Sequence, residues 1–501
     1  MPSTTTSPAR IEKLSWTATV EQVLASWPRD RWLAAMISSG KQIEGGRDRW
    51  SIIAQPIAAI PVGGPGGGRR GHGGGLPRLS PKLGLSAASV EVPDLGSSPD
   101  DRPPFVGGWI ASLRYELGGV IEPTGASERD DGGWKAVWFC CPTALVHDHK
   151  TGTWWHVQAP ADAKLLDTPS RADGEAAPAW PTYDAPPADA PGAPAENAYS
   201  IGPFTSGSGQ RRYTRAVKIA LGHIADGDIY QVNLTHQLHA PFKGSARALM
   251  QQLLGRAQPW YGAYLEYPLR AGKREAIACS SPELFLSVTR EGRVSTRPMK
   301  GTRAGVTDAA GLRSSEKEQA ELTMIVDLMR SDLGRVCIPG SIAVDSPRDI
   351  EAHAGGTLLQ ATATVSGQLR PDASIDELLA ATFPGGSVTG APKIRAMQII
   401  NRLERESRGQ YCGAVGFVSL CGTSAFNIAI RTASIQGPVE QGVIEGFRPG
   451  SSLAYGVGAG IVADSDPSAE WQETLDKAKV LLDLAGATEV AEPAIDEDDE
   501  L

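Results

Sequence analysis

Residues 391–406, APKIRAMQIINRLERE, place apolar side chains at helical spacing, and two strand-like runs follow, CGAVGFVSLC at 412–421 and SAFNIAIRTASI at 424–435. One helix followed by a pair of strands is the pattern that decides the fold. Working outward, helix patterns at 214–227 (TRAVKIALGHIADG), 316–334 (EKEQAELTMIVDLMRSDLG), 376–386 (DELLAATFPGG) and 469–486 (AEWQETLDKAKVLLDLAG) alternate with strand patterns at 229–238 (IYQVNLTHQL), 283–289 (ELFLSVT) and 361–369 (ATATVSGQL). Strand pairs after single helices predict an α+β architecture rather than a strict βαβ repeat. Upstream, GGWIASLRYEL (107–117), AVWFCCPTALV (136–146) and TWWHVQA (153–159) read as strands of an antiparallel sheet.

The chain divides into a β-rich region at 1–158, a dense unit at 199–488 and an acidic tail at 489–501. A glycine-rich insertion at 63–75 (GGPGGGRRGHGGG) and a Pro/Ala-rich linker at 159–198 have compositions that cannot pack a core and read as flexible. The 501 residues carry a net charge of −9, which supplies no electrostatic footprint for nucleic acid or an anionic membrane. No apolar run approaches the roughly 18 residues a membrane helix needs, and the hydroxyl-rich start MPSTTTSPAR is only a faint echo of a transit peptide, so a soluble cytoplasmic protein is expected. Six cysteines without CxxC spacing read as reduced thiols.

Several constellations carry candidate chemistry. Glu283 in SSPELF precedes Lys300 in RPMKGT. Lys300 is either an exposed charge or a nucleophilic amine partnered by Glu283 as an acid. Glu321 shares a helix face with Ile325, Leu328 and Asp332, where it needs a cation; Arg330 or Arg335 could supply a structural ion pair. Asp466-Pro467 announces a helix on which Glu470 and Glu473 project from one side, beside an apolar stripe of Trp471, Leu475, Ala478 and Leu482. With Glu321 these acids make an oxygen-only set suited to Mg²⁺. Two glycine-rich stretches, FPGGSVTGAPK (383–393) and YGVGAG (455–460), depart from nucleotide-binding consensus spacing and fit a carboxylate ligand better.

Taken in order, SPELF, RPMKGT, AELTMIVDLMRSDLGRV, FPGGSVTGAPKIRAMQII, YCGAVGF, IAIRT, GAGIVADSD and AEWQETLDKA resemble the chorismate-utilising enzymes, with GGWIASLRYELGG (107–119) similar to their N-terminal glycine-aromatic segment. The resemblance implies a two-sheet core flanked by helices, as in the large component of anthranilate synthase, with residues 199–488 as the chorismate-binding catalytic domain. It implies Mg²⁺ held by Glu321 and Glu473 with Glu470 close by. It places substrate oxygens against Gly301, Thr302, Tyr411, Arg431 and the Gly458-Ala459-Gly460 backbone. Lys300 before Gly-Thr is similar to the aminodeoxychorismate synthase component I branch. There the lysine attacks the chorismate ring while Glu283 protonates the departing hydroxyl, with ammonia arriving from a glutamine amidotransferase subunit, towards p-aminobenzoate and folate. Gln231, where isochorismate-type enzymes carry a lysine base, implies amination rather than hydration. Gln360 stands where many members have histidine, which weakens an anthranilate assignment. Anthranilate synthase component I and a non-catalytic chorismate-binding scaffold for the amidotransferase are the alternatives. No LLES-type motif marks a tryptophan feedback site, none of the cysteines carries an amidotransferase signature, and no lyase domain is expected after residue 488.

Overall fold

The computed structural model describes residues 7–41, 49–63, 101–125, 133–160, 181–186, 198–304, 315–353, 358–439 and 444–493, with short pieces at 79, 90, 92–93, 163, 165, 311–312 and 442. Nearly all of the 63–75 insertion, most of the 159–198 linker and residues 494–501 of the tail lie outside the described residues. The architecture is α+β, as expected.

Among the described residues one sheet has fourteen strands, counting Gly390–Ala391 and Tyr199–Ile201, which pair with Gln231–Gly244 off its main path, and the other ten, counting Ala343–His353, which pairs with Leu358–Gln368. The larger runs in the order Arg10–Leu14, Thr153–Gln158, Thr143–Asp148, Trp50–Ala54, Ala34–Ile37, Tyr261–Pro268, Lys273–Ser281, Thr432–Pro438, Phe447–Ile461, Gln231–Gly244, Phe204–Ser206 and Val490–Ala491. The smaller contains Met299–Ala304, Leu358–Gln368, Arg293–Arg297, Leu284–Val288, Ser424–Ile428, Ala414–Ser419, Gly108–Leu113, Ala136–Cys141 and Ala58–Val62. Strands from the early region pair with strands from the dense unit in both sheets: Ala34–Ile37 with Tyr261–Pro268, and Gly108–Leu113 with Ala414–Ser419. One core cluster draws Ile110, Phe139, Val415 and Phe417 from the smaller sheet and Val146, Leu265 and Ile277 from the larger. Each such side chain contributes about 1.5–3 kcal/mol on burial, and this cluster joins the two layers.

Among the described residues the chain crosses between sheets at short joints at Pro142, at Pro282-Glu283 and at Ala429–Arg431, and at a fourth at Gln55–Ile57. The run SAFNIAIRTASI, continuous as a sequence pattern, is therefore two strands in different sheets. It breaks where Arg431 adopts φ 51°, a left-handed conformation that costs a non-glycine residue about 1–2 kcal/mol. The second and third joints are stitched together. Ser280 N–H and Oγ each donate to the Arg431 carbonyl at 3.0 Å, Ser281 Oγ donates to the Ile428 carbonyl at 2.6 Å, and Ile428 N–H donates to the Glu283 carbonyl at 3.1 Å.

Helix Glu316–Gly334 begins at its Ser315 cap, whose hydroxyl accepts from Glu318 N–H, and spans the residues its pattern predicts. Helix Pro467–Ala485 begins at Asp466, which accepts from Ser468 and Ala469 N–H at 3.0 and 2.9 Å. Helix Ala246–Ala257 has no counterpart among the sequence patterns: nine of its residues are buried, so it lacks the polar face that makes a helix legible. No helix among the described residues is long and apolar enough to cross a membrane. All six cysteines are buried and free.

Candidate active site

The two stitched joints put Glu283 and Arg431 in the space between the sheets, and the strands beside them bring in the remaining candidates. Lys300, on Met299–Ala304, is only 15% exposed, and its Nζ lies 3.5 Å from Glu321 Oε2. The amine is therefore not a free surface charge. Glu321 draws its cation from Lys300, rather than from the arginines on its own helix. Arg330 bonds Asp327, and Arg335 reaches the Ala381 carbonyl.

Lys300 Nζ approaches the backbone at Gly460 so closely that a Cβ there would lie 2.7 Å from it and 3.1 Å from Gln231 Nε2. A side chain at position 460 would have to push the Lys300 amine aside. Gln231 is 1% exposed, and among the described residues neither of its amide atoms has a hydrogen-bond partner. A buried unsatisfied amide costs about 1–3 kcal/mol, so it marks a position awaiting a polar ligand. Residues 456–461 pair on one edge with the Gln231–Gly244 strand, while Thr432–Pro438 covers the other edge only as far as Tyr455. Beyond Tyr455 that second edge, including Gly458-Ala459-Gly460, has no strand partner among the described residues, and its alternate N–H groups can meet an anion.

Glu283 is 4% exposed and accepts a 2.7 Å hydrogen bond from Ser387 Oγ. Burial pushes its pKa up to about 7, against the opposing pull of the Ser387 donor and the charges of Lys300 and Lys477. A carboxyl poised there can both hold and release a proton near neutrality. Lys477 also donates to the Gly458 carbonyl at 2.8 Å and pairs with Glu473 at 2.7 Å. The acids and amines thus alternate from Glu321 through Lys300, Glu283 and Lys477 to Glu473.

Glu470 is buried and the Glu473 side chain is half exposed. Burial first, then the negative charges of both, raises the pKa of the neighbouring Tyr213 hydroxyl. Among the described residues no three His, Cys, Asp or Glu side chains converge as a ready-made metal cage. The donor set Glu321, Glu470 and Glu473 nevertheless suits a hard cation: it is all oxygen, and two of its members already attract a positive charge from lysine.

The Arg431 guanidinium is half-buried and has no carboxylate partner among the described residues; burial lowers its pKa, and Tyr455 opposes that shift. Tyr411 is buried with its ring against the backbone of Gly456. Gly301 sits at a bulge between Lys300 and Thr302, and Thr302 pairs with Gln360 on the adjacent strand. The Thr302 side chain lies outside the described residues. Sequence reasoning missed Ser387, whose glycine-rich setting reads as a backbone cradle, and Lys477, although its spacing of four from Glu473 is a legible helix pair.

On the far side of Tyr411, the same face of the larger sheet borders a cavity of about 130 Å³ lined by Arg114, Gln237, Glu275, Gln410, Tyr411 and Ser434, among others. Its charges are met internally. Arg114 pairs with Glu275 at 2.6 Å, Arg408 with Glu404 at 2.6 Å, and His239 with Glu406 at 2.9 Å.

The family model for chorismate binding enzymes matches residues 85–483. The chain is 36% identical over 412 residues to an aminodeoxychorismate synthase of Streptomyces griseus, covering 80% of this chain but only about half (52%) of that protein. It is 32% identical over 414 residues to the aminodeoxychorismate synthase component 1 of Salmonella typhimurium, covering 81% of this chain and 82% of the relative. It is also 32% identical over 475 residues to the anthranilate synthase component 1 of Streptomyces coelicolor, covering 91% and 85%. The crystal structure of anthranilate synthase component I from Streptococcus pneumoniae superposes with a TM-score of 0.63 at 27% identity, covering 86% of this chain and 91% of that one. Matched along most of its length in sequence and in fold, the chain belongs to the chorismate-binding enzyme family.

Proposed function

We propose that the chain is an aminodeoxychorismate synthase component I, which replaces the C4 hydroxyl of chorismate by an amino group. The observation that carries this reading is the Lys300 amine, withdrawn from solvent and set against Glu321, Gln231 and Gly460 in the same inter-sheet space as Glu283.

Lys300 Nζ, as free amine, forms a bond to C2 of the ring. The ring double bond shifts, the C4–O bond breaks, and the Glu283 proton passes to the departing oxygen, giving water. Ammonia then bonds at C4, the double bond returns, the C2–Nζ bond breaks to release the lysine amine, and the new ammonium gives a proton back to the Glu283 carboxylate. Chorismate and ammonia thereby become 4-amino-4-deoxychorismate and water, with no net oxidation. Two displacements through a covalent intermediate replace one difficult substitution. Arg431 pairs with a substrate carboxylate, and the Gly458-Ala459-Gly460 edge and Tyr411 receive the remaining oxygens. Gln231, an amide rather than a base, has no means of activating water. Mg²⁺, when held by Glu321 and Glu473 with Glu470, supplies positive charge for the ring carboxylate, offsetting repulsion between an acidic site and a dianionic substrate. Ammonia comes from a separate glutamine amidotransferase subunit, and the product leads to p-aminobenzoate.

The test is turnover of chorismate with Mg²⁺ and ammonium, with the product identified by mass. Formation of 4-amino-4-deoxychorismate is expected. Fluorescent anthranilate would overturn the reading in favour of the other activity named among the relatives.

A further inference from the structure

The sequence reads 383–393 as a loop whose backbone receives a carboxylate. In the structure the carboxyl group it meets is the protein's own, through the 2.7 Å hydrogen bond from Ser387 Oγ to Glu283 Oε1. The loop is held from several directions at once. Cβ atoms on Gly385 and Gly386 would lie 2.6 Å from Ile428 and 2.5 Å from Leu328, so the backbone is pinched between a strand of the smaller sheet and helix Glu316–Gly334. Thr389 Oγ1 donates to the Gly385 carbonyl at 2.9 Å, and the buried Arg408 donates to the Val388 carbonyl at 2.7 Å. Lys393 Nζ closes the loop by donating to Asp332 at 2.6 Å and to the Thr382 carbonyl at 2.9 Å. These contacts fix the backbone from which the Ser387 hydroxyl reaches Glu283.

We propose that Ser387 is the positioning residue for the acid of this site: by occupying Oε1 it leaves Oε2 to carry the proton to the departing oxygen. This rests on the proposed role of Glu283. Among the described residues the other groups that act on Glu283 are Lys300 from its strand, Lys477 from helix Pro467–Ala485, and the buried Cys412 thiol. The lysines act on the carboxylate by charge, whereas the Ser387 bond also fixes which oxygen is free. A donor to the ionised form stabilises it, so removing that donor makes the group a weaker acid and moves its titration upward.

The experiment compares pH profiles of kcat for the unaltered chain, S387A, S387C and S387T, with free ammonia held constant at every pH. The alkaline limb, which follows loss of the acid's proton, should move up by about one pH unit in S387A and S387C, and the plateau should fall about tenfold. S387T keeps the hydroxyl and should restore both. Infrared difference spectra against E283Q give a readout independent of turnover: the protonated carboxyl band should persist to higher pH in S387A. S387C is close to isosteric with serine and serves if S387A does not fold. An unmoved limb and band in both variants, with E283Q inactive, overturns the role of Ser387 and leaves the acid in place. Full activity in E283Q instead overturns the acid itself.

Discussion

The two ends of one face of the larger sheet handle charge in opposite ways. At the Gly456 end, Glu275 is surrounded by partners: Arg114 at 2.6 Å, Ser434 Oγ at 2.6 Å and Tyr267 Oη at 2.5 Å. Burial alone would raise its pKa, yet these partners hold it below the ordinary value. At the Gly460 end, burial wins: Glu283 rises to about 7, and among the described residues the Gln231 amide is unsatisfied and Arg431 has no carboxylate partner. A buried ion pair with every lone pair met is architecture, whereas groups left short of partners mark where a ligand must supply them.

The largest expected effect breaks the contrast at its chemical end. Lys300→Ala should reduce amination on the order of 10³-fold or more and abolish any ring adduct detected on the intact protein by mass spectrometry. Retained activity at physiological ammonia would remove the distinction between the two ends.

The opposite arm is structural. Arg114→Met strands Glu275 and should cost about 3–5 kcal/mol of stability, measured by denaturant unfolding, while kcat per folded molecule stays unchanged.

Glu283 sharpens the comparison through pH. A folded pKa raised from 4.5 to about 7 means that the protonated form is the favoured one in the fold. Its contribution is full below about pH 4.5 and is lost as pH rises through about 7. E283Q should therefore match the unaltered chain in acid and exceed it by roughly 3 kcal/mol above neutrality, at the expense of turnover. A stability gap independent of pH would show that Glu283 is not desolvated.

The smallest effect tests the unpaired cation. Arg431→Ala should raise the KM for chorismate about 10- to 100-fold with little loss of stability, because no internal partner is stranded. An unfolded variant would place Arg431 with Arg114 as architecture.

Much of this was legible in the chain itself. Helix Glu316–Gly334 announces itself through its apolar spacing, and helix Pro467–Ala485 through Asp466-Pro467, because a cap satisfies orphan N–H groups locally. Glu283, Lys300 and Glu321 stand out through the motifs that resemble the chorismate-utilising enzymes, since residue type alone leaves each of them a structural alternative. The bend at Arg431 was not legible, since both halves of SAFNIAIRTASI have strand chemistry. What divides them is hydrogen bonding to Ser280 and Ser281, almost 150 residues away along the chain. The partner of Glu321 was equally hidden, because helical spacing reports on residues of the same helix and Lys300 arrives from a strand.

By itself the sequence determined where helix Pro467–Ala485 begins, which faces of the patterned helices are apolar, and which residue types could serve as acid, amine and metal-binding oxygen. These follow from short-range geometry and intrinsic chemistry. The tertiary structure alone decided that the strand run crosses between sheets at Arg431, that Gln231 is buried without a partner among the described residues, and that Ser387 turns its hydroxyl to Glu283. Those outcomes depend on desolvation and on contacts between distant segments, and neither exists until the two sheets have closed over one another.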